Sequence, residues 1–125
     1  MIVNERVVSF INSLNPEIDD LVYRIEREAR ELLKVLELIQ KPQRILEVGT
    51  AVGFSSIYMS QYLPEGGSIT TIEKYPPRIE AAKKNFIRTG TTDRITLLEG
   101  DAADILKSLT QEYDMIFMDA AKGQY

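Results

Sequence analysis

From Arg44 onward the chain repeats one grammar: a short apolar run, a turn, then a stretch with helical spacing. "RILEVG" at 44–49, "SITTIE" at 68–73, "RITLLEG" at 94–100 and "YDMIFMD" at 113–119 read as strands. "FSSIYMSQYL" at 54–63, "PPRIEAAKKNFIRTG" at 76–90 and "DAADILKSL" at 101–109 read as the helices between them. The strand runs are apolar almost throughout, as befits strands buried on both faces. Strand–helix alternation of this kind predicts an α/β fold, a parallel sheet joined by right-handed crossovers. Local signals agree. Pro76 and Pro77 suit a first helical turn, Ile79, Ala82 and Phe86 make a buried stripe, and Gly90 stands where a C-cap glycine belongs.

The chain before Arg44 is helical in pattern. Val3, Val7, Val8, Ile11 and Leu14 share one stripe, broken at Asn15-Pro16. Ile18, Leu21, Val22, Ile25, Ala29, Leu32, Leu33, Leu36 and Ile39 follow at helical spacing, ended by Lys41-Pro42. Periodicity leaves open whether this is one helix or two with a break near Tyr23. With 125 residues there is room for one domain. It divides into a helical cap over 1–42 and a sheet-bearing part over 43–125, folding as one unit.

Composition narrows the chemistry. An apolar fraction of 44% with 27% charged residues is ordinary for a globular protein and unlike a disordered chain. There is no apolar run near membrane-spanning length, and the "MIVNERVV" start lacks a signal-peptide layout, so a soluble, cytoplasmic protein without a membrane partner is expected. Without Cys or His, disulfides and thiolate or imidazole metal sites are excluded, and metal binding or base catalysis falls to carboxylates, Lys or Tyr. A net charge of −4 gives no global pull towards nucleic acid.

In open parallel sheets ligands bind beyond the carboxyl ends of the strands. The first such end is "EVGTAVGFSS", where Gly49 and Gly53 let the backbone turn tightly and approach a ligand. The spacing is G-x-x-x-G, not the G-x-G-x-x-G of dinucleotide binders, and there is no Walker lysine. Glu47, two residues before the glycine, would repel a polyphosphate and suits a ligand bearing a cation. Glu73 ends the second strand, where an acid can accept from both hydroxyls of a ribose. Beyond the third strand, Asp101 could accept from an adenine amino group and the Ala102 N–H could reach a ring nitrogen. Each feature alone is weak, since a tight turn or a solvated acid would look the same. Their order, one per consecutive strand end, describes S-adenosylmethionine better than NAD.

With "ILEVGTAVGFSS", "TIEKYPPR", "LLEGDA" and "FMDAAKGQY" in order, the chain resembles the cation-dependent O-methyltransferases of the caffeoyl-CoA and catechol type. The resemblance runs from about Ile18 to Tyr125. The "DAAKGQY" wording and the upstream "IERE" look most like a bacterial branch that includes tRNA 5-hydroxyuridine methyltransferases. It implies a class I, Rossmann-like methyltransferase with strand order 3-2-1-4 and an N-terminal helical cap. It also implies that Glu47, Gly49, Thr50 and Ser55 hold the methionine end of S-adenosylmethionine, Glu73 the ribose, and Asp101 and Ala102 the adenine. Ile25 matches a position where cap backbone covers the cofactor; plain core packing on its stripe is the other reading.

The resemblance further implies catalytic roles at the fourth strand. Asp119 matches a carboxylate that ligates a divalent cation, expected to be Mg²⁺, and Lys122 matches a lysine that takes or polarises the acceptor's hydroxyl proton. A hard cation lowers the pKa of a bound hydroxyl, and a lysine of depressed pKa can accept its proton. Two departures stand out. Ala121 replaces the second acid of the family's D-A-D-K, and the fifth strand with its Asp-Asn pair, like the other C-terminal strands, is absent from this sequence. Asp119 could therefore instead touch the cofactor's ammonium. The expected acceptor is a hydroxylated wobble uridine in tRNA, or else a catechol-like small molecule, with a homodimer when full length. An inactive cofactor-binding fragment and a nicotinamide dehydrogenase are the rival readings.

Overall fold

The computed structural model describes residues 6–7 and 20–118. Helix α1 spans Asp20–Gln40 without interruption, so the second helical run is continuous through Tyr23. Strand β1 (Arg44–Val48) follows, then helix α2 (Phe54–Ser60), β2 (Ser68–Glu73), helix α3 (Pro76–Thr89), β3 (Ile95–Glu99), helix α4 (Ala102–Ser108) and β4 (Met115–Met118). Helix α2 is shorter than its apolar pattern. The Ser60 hydroxyl folds back onto the Ile57 carbonyl at 2.7 Å and Arg94 Nη1 donates to the Ser60 carbonyl at 2.8 Å, closing the helix there. No helix among the described residues is long and apolar enough to cross a membrane.

All strand pairs are parallel and the order is β3-β2-β1-β4, the 3-2-1-4 arrangement expected. Register sets Ile45 beside Ile69 and Met115, and Glu47 between Thr71 on β2 and Phe117 on β4. Because side chains alternate across a strand, the sheet has two distinct faces. Ile45 and Ile69 pack with Ile57, Met59, Ala82 and Phe86 from α2 and α3. Leu46, Val48 and Ile72 pack on the other side with Ile105, Leu109 and Tyr113. Glu47 thus points to the α2 face, between Thr71 and Phe117 in a layer built largely of apolar side chains.

The helix ends follow their local signals. Pro76 and Pro77 open α3, and Gly90 closes it in the left-handed conformation at φ 70°. Helix α1 lies against α2 through cation–aromatic contacts: Arg30 is 5.1 Å from the Phe54 ring and Lys34 5.3 Å from that of Tyr62. Leu33 packs on the core and Glu37 is fully buried, whereas Leu32, Leu36 and Ile39 from the apolar stripe are exposed, Ile39 at 72%. Among the described side chains, Arg30, Leu33, Lys34 and Glu37 face the domain, a mixed stripe and not a purely apolar one.

Candidate functional site

The carboxyl ends of β1, β2 and β3 deliver Glu47, Glu73 and Asp101 in a line, as the strand order requires. Glu47 is 0% exposed. Its Oε1 accepts from the Thr71 hydroxyl at 2.6 Å and also from the Ser56 hydroxyl on α2. Thr71 Oγ1 in turn lies 2.6 Å from Thr50 Oγ1. Four side chains from β1, the turn after it, α2 and β2 thus make one buried polar cluster inside an apolar layer. Buried polar groups are tolerated there because each has a partner.

The turn between β1 and α2 is bent hard under this cluster. Gly49 and Gly53 have φ 98° and 90°, left-handed values that glycine adopts without a Cβ clash. The N–H groups of Gly49 and Thr50 both donate to the Ile72 carbonyl, at 2.9 and 3.1 Å. That ties the turn to β2. A Cβ on Gly53 would sit 2.7 Å from Phe86 Cε1, so the turn also packs tightly on α3. Asn85 Nδ2 fixes the same turn from α3, donating to the Val52 carbonyl at 2.8 Å.

Glu73 is buried and much engaged. Oε1 accepts from the Ala51 N–H at 2.8 Å, and Oε2 from the N–H groups of Lys74 and Tyr75 at 3.1 and 3.2 Å. A carboxylate offers about four acceptor positions, so these bonds orient the group without exhausting it. Asp101 is the N-cap of α4, its Oδ1 accepting from Ala103 N at 2.9 Å and Asp104 N at 3.4 Å. Ala102 is the first residue of that helix. Gly100, between β3 and the cap, donates its N–H to the Glu73 carbonyl at 2.9 Å, which binds the second and third strand ends together.

Of the remaining residues expected at the site, Ser55 is the one whose side chain lies among the described residues. Ser55 is half-buried on α2, and it is its neighbour Ser56 that reaches Glu47. Ile25 lies within α1, its side chain outside the described residues. Asp119 and Lys122 also lie outside them. Among the described residues no three acidic side chains are grouped to hold a metal ion. The pairing of Thr71 with Thr50 is not visible in the sequence, where the two stand far apart. A usable signal for Thr71 was there: Thr71 stands two residues before Glu73 just as Glu47 stands two before Gly49, in a strand otherwise suited to apolar burial.

A four-stranded parallel sheet of order 3-2-1-4 with this turn after β1 is the Rossmann-like fold of class I S-adenosylmethionine-dependent methyltransferases. The O-methyltransferase family profile matches residues 17–125, and the chain belongs to that family. A catechol O-methyltransferase from Niastella koreensis is 38% identical over 99 residues, covering 76% of this chain and 45% of the relative. The O-methyltransferase TomG from Streptomyces achromogenes, solved in complex with SAM, superposes with TM-score 0.70 at 31% identity, over 98% of this chain and 64% of its own. An O-methyltransferase from Bacillus cereus, solved with SAH, superposes with TM-score 0.70 at 26% identity, over 91% of this chain and 60% of its own. The chain spans somewhat under half the length of the Niastella relative.

Proposed function

We propose that this chain carries the S-adenosylmethionine-binding part of an O-methyltransferase, and that the whole protein methylates a hydroxyl of a catechol-like small molecule. The observation that carries this reading is Glu47: a buried carboxylate at the mouth of the sheet, steadied by the Thr71 and Ser56 hydroxyls beside the glycine turn. Such a group disfavours a polyphosphate and suits the ammonium of a methionine moiety. The SAM and SAH in the TomG and Bacillus cereus structures support the same ligand here.

In this reading the ligand lies along the strand ends. Glu47, Gly49, Thr50 and Ser55 receive the methionine end, and the bare Gly49 allows close approach. Glu73, pre-oriented by three backbone N–H groups, accepts from the ribose hydroxyls. Asp101 keeps Oδ1 on its helix and offers its carboxylate to the adenine amino group, beside the Ala102 N–H. Bound S-adenosylmethionine supplies an electrophilic methyl on a sulfonium. The chain's contribution is to fix the direction in which that methyl points, and orientation of this kind is worth a large share of a displacement barrier.

Asp119 and Lys122 are proposed for the acceptor side, Asp119 as a ligand for a divalent cation such as Mg²⁺ and Lys122 as the group that receives the hydroxyl proton. The described residues do not themselves furnish a cation site. A catechol-like acceptor is preferred to tRNA hydroxyuridine because the Niastella relative is named for catechol and a net charge of −4 offers phosphate no attraction.

Calorimetric titration with S-adenosylhomocysteine tests the cofactor; saturable binding at one site is expected. Binding of NADH and not of S-adenosylhomocysteine would return the nicotinamide reading. Incubating the whole protein with labelled S-adenosylmethionine, Mg²⁺ and either catechol or tRNA that carries an unmethylated 5-hydroxyuridine at the wobble position tests the acceptor. Label on tRNA alone would replace the catechol assignment.

A further inference from the structure

The hydrogen bonds around Glu47 have a direction that the atoms themselves dictate. The Thr71 hydroxyl donates to Glu47 Oε1, 2.6 Å away, and a threonine hydroxyl has one hydrogen to give. Thr71 then has none to give Thr50. In the 2.6 Å pair between the two threonines, Thr50 is the donor and Thr71 the acceptor. The chain runs one way, from Thr50 through Thr71 to Glu47, and Ser56 closes on the same oxygen from α2. All four side chains are buried.

Two consequences follow from this polarity. Thr71 and Ser56 are neutral donors, which orient the Glu47 carboxylate without themselves bringing a charge to it. Thr50, having turned its hydrogen inward, presents only lone pairs outward, and so favours a ligand that donates. Both effects favour an ammonium and neither depends on the nucleoside.

We propose that Thr71 is a positioning residue for cofactor binding, which locks Glu47 through a one-way hydroxyl chain so that the carboxylate meets the ammonium of the ligand's amino-acid end. Thr71 reaches Glu47 because the two are register partners on adjacent parallel strands, their side chains on one face. It acts through Glu47 and makes no contact with the reacting atoms. The proposal rests on the reading of this site as one for S-adenosylmethionine.

The test compares two ligands that share a nucleoside and a thioether. S-adenosylhomocysteine carries the amino-acid end; 5′-methylthioadenosine lacks it. Calorimetry on the full chain should show that Thr71→Val lowers affinity for S-adenosylhomocysteine by about tenfold, the scale of a lost hydrogen bond to a charged group, and leaves 5′-methylthioadenosine within about twofold. Thr71→Ser, which restores the hydroxyl, should recover the first affinity. Ser56→Ala, which removes the other donor to Oε1, should repeat the selective loss and serves if Thr71→Val does not fold. Equal loss with both ligands would make Thr71 a packing residue and overturn the proposal, as would an unchanged affinity for S-adenosylhomocysteine. If the unsubstituted chain binds 5′-methylthioadenosine or S-adenosylhomocysteine, the cofactor reading survives such a failure; if it binds neither, that reading falls and takes this proposal with it.

Discussion

Glu73 Oε1 accepts a hydrogen bond from the Ala51 N–H at 2.8 Å, so the acid that ends β2 restrains the turn that follows β1. Ala51 has φ 49°, a left-handed conformation that an L-residue enters at some energetic expense. The bond helps to hold it there. Glu73 therefore has two tasks in the proposed site, to shape the turn and to accept from a ribose. Glu73→Ala should weaken S-adenosylhomocysteine binding by at least about tenfold, since it removes a charged acceptor and loosens the turn together. Adding Ala51→Gly to Glu73→Ala relieves the strained φ but supplies no acceptor. Calorimetry on the double variant should thus show stability partly recovered and affinity not. An unchanged dissociation constant in Glu73→Ala would remove Glu73 from the ligand's surroundings.

Glu37 on α1 is fully buried, and among the described residues neither of its side-chain oxygens has a hydrogen-bond partner. Burial in apolar surroundings pushes its carboxyl up from 4.5 to about 8. The sign of the consequence is fixed by which state keeps the proton. Below about pH 4.5 both folded and unfolded chains are protonated and there is no penalty. Between that value and about 8 the folded chain retains a proton that the unfolded chain has lost, so stability falls as pH rises, by at most about 1.4 kcal/mol per unit. Above about 8 the loss levels off. Glu37→Leu removes the titration and keeps an apolar side chain in the site. Urea unfolding should show it more stable than the unsubstituted chain at about pH 8, with a much smaller gain at about pH 5. An equal gain at both would mean that Glu37 does not titrate across this window.

The fold was legible because its signals are local. Continuous apolar runs marked four strands, and Pro76, Pro77 and Gly90 marked both ends of α3. Glu47, Glu73 and Asp101 were legible as strand-end acids for the same reason. The Thr50–Thr71–Glu47 chain was not, because it depends on cross-strand register between residues far apart in sequence. Glu37 was hidden by its type, since an acid on an amphipathic helix ordinarily faces water. Helix α1 misled further. Its apolar residues Leu32, Leu36 and Ile39 suggest a buried side, yet they are exposed, while Arg30 and Lys34 lie over the Phe54 and Tyr62 rings on the side where Leu33 packs. A charge that can cover an aromatic face is not read by hydrophobic periodicity.

Asp101 combines a structural task with a proposed ligand contact, and two substitutions separate them. As N-cap its Oδ1 accepts from Ala103 N and Asp104 N. Asp101→Ala should lower stability by about 1 kcal/mol, the usual worth of a cap, and weaken nucleoside binding as well. Asp101→Asn keeps an oxygen for the helix, because asparagine caps as well as aspartate does. It should retain stability, while losing affinity for adenosine-containing ligands through the missing charge. Thermal unfolding and calorimetry on both variants check this. If Asp101→Asn binds as the unsubstituted chain does, Asp101 is a cap and nothing more.

Gly53 faces two constraints at once, its φ of 90° and the Phe86 ring edge 2.7 Å from where a Cβ would stand. Either alone would disfavour alanine, and Phe86 is a core side chain with little room to retreat. Gly53→Ala should therefore destabilise the fold by about 1–3 kcal/mol in urea unfolding, the range for left-handed strain combined with overpacking. The contributions can be divided. In a Phe86→Leu background the ring edge is gone, so Gly53→Ala should then cost less, with only the backbone strain remaining. The single substitution Phe86→Leu supplies the reference, and the difference closes a double-mutant cycle. Additive effects would show that Phe86 does not press on the turn. The glycine would then be required by its backbone angle alone, and the turn after β1 would owe its shape to its own residues and not to α3.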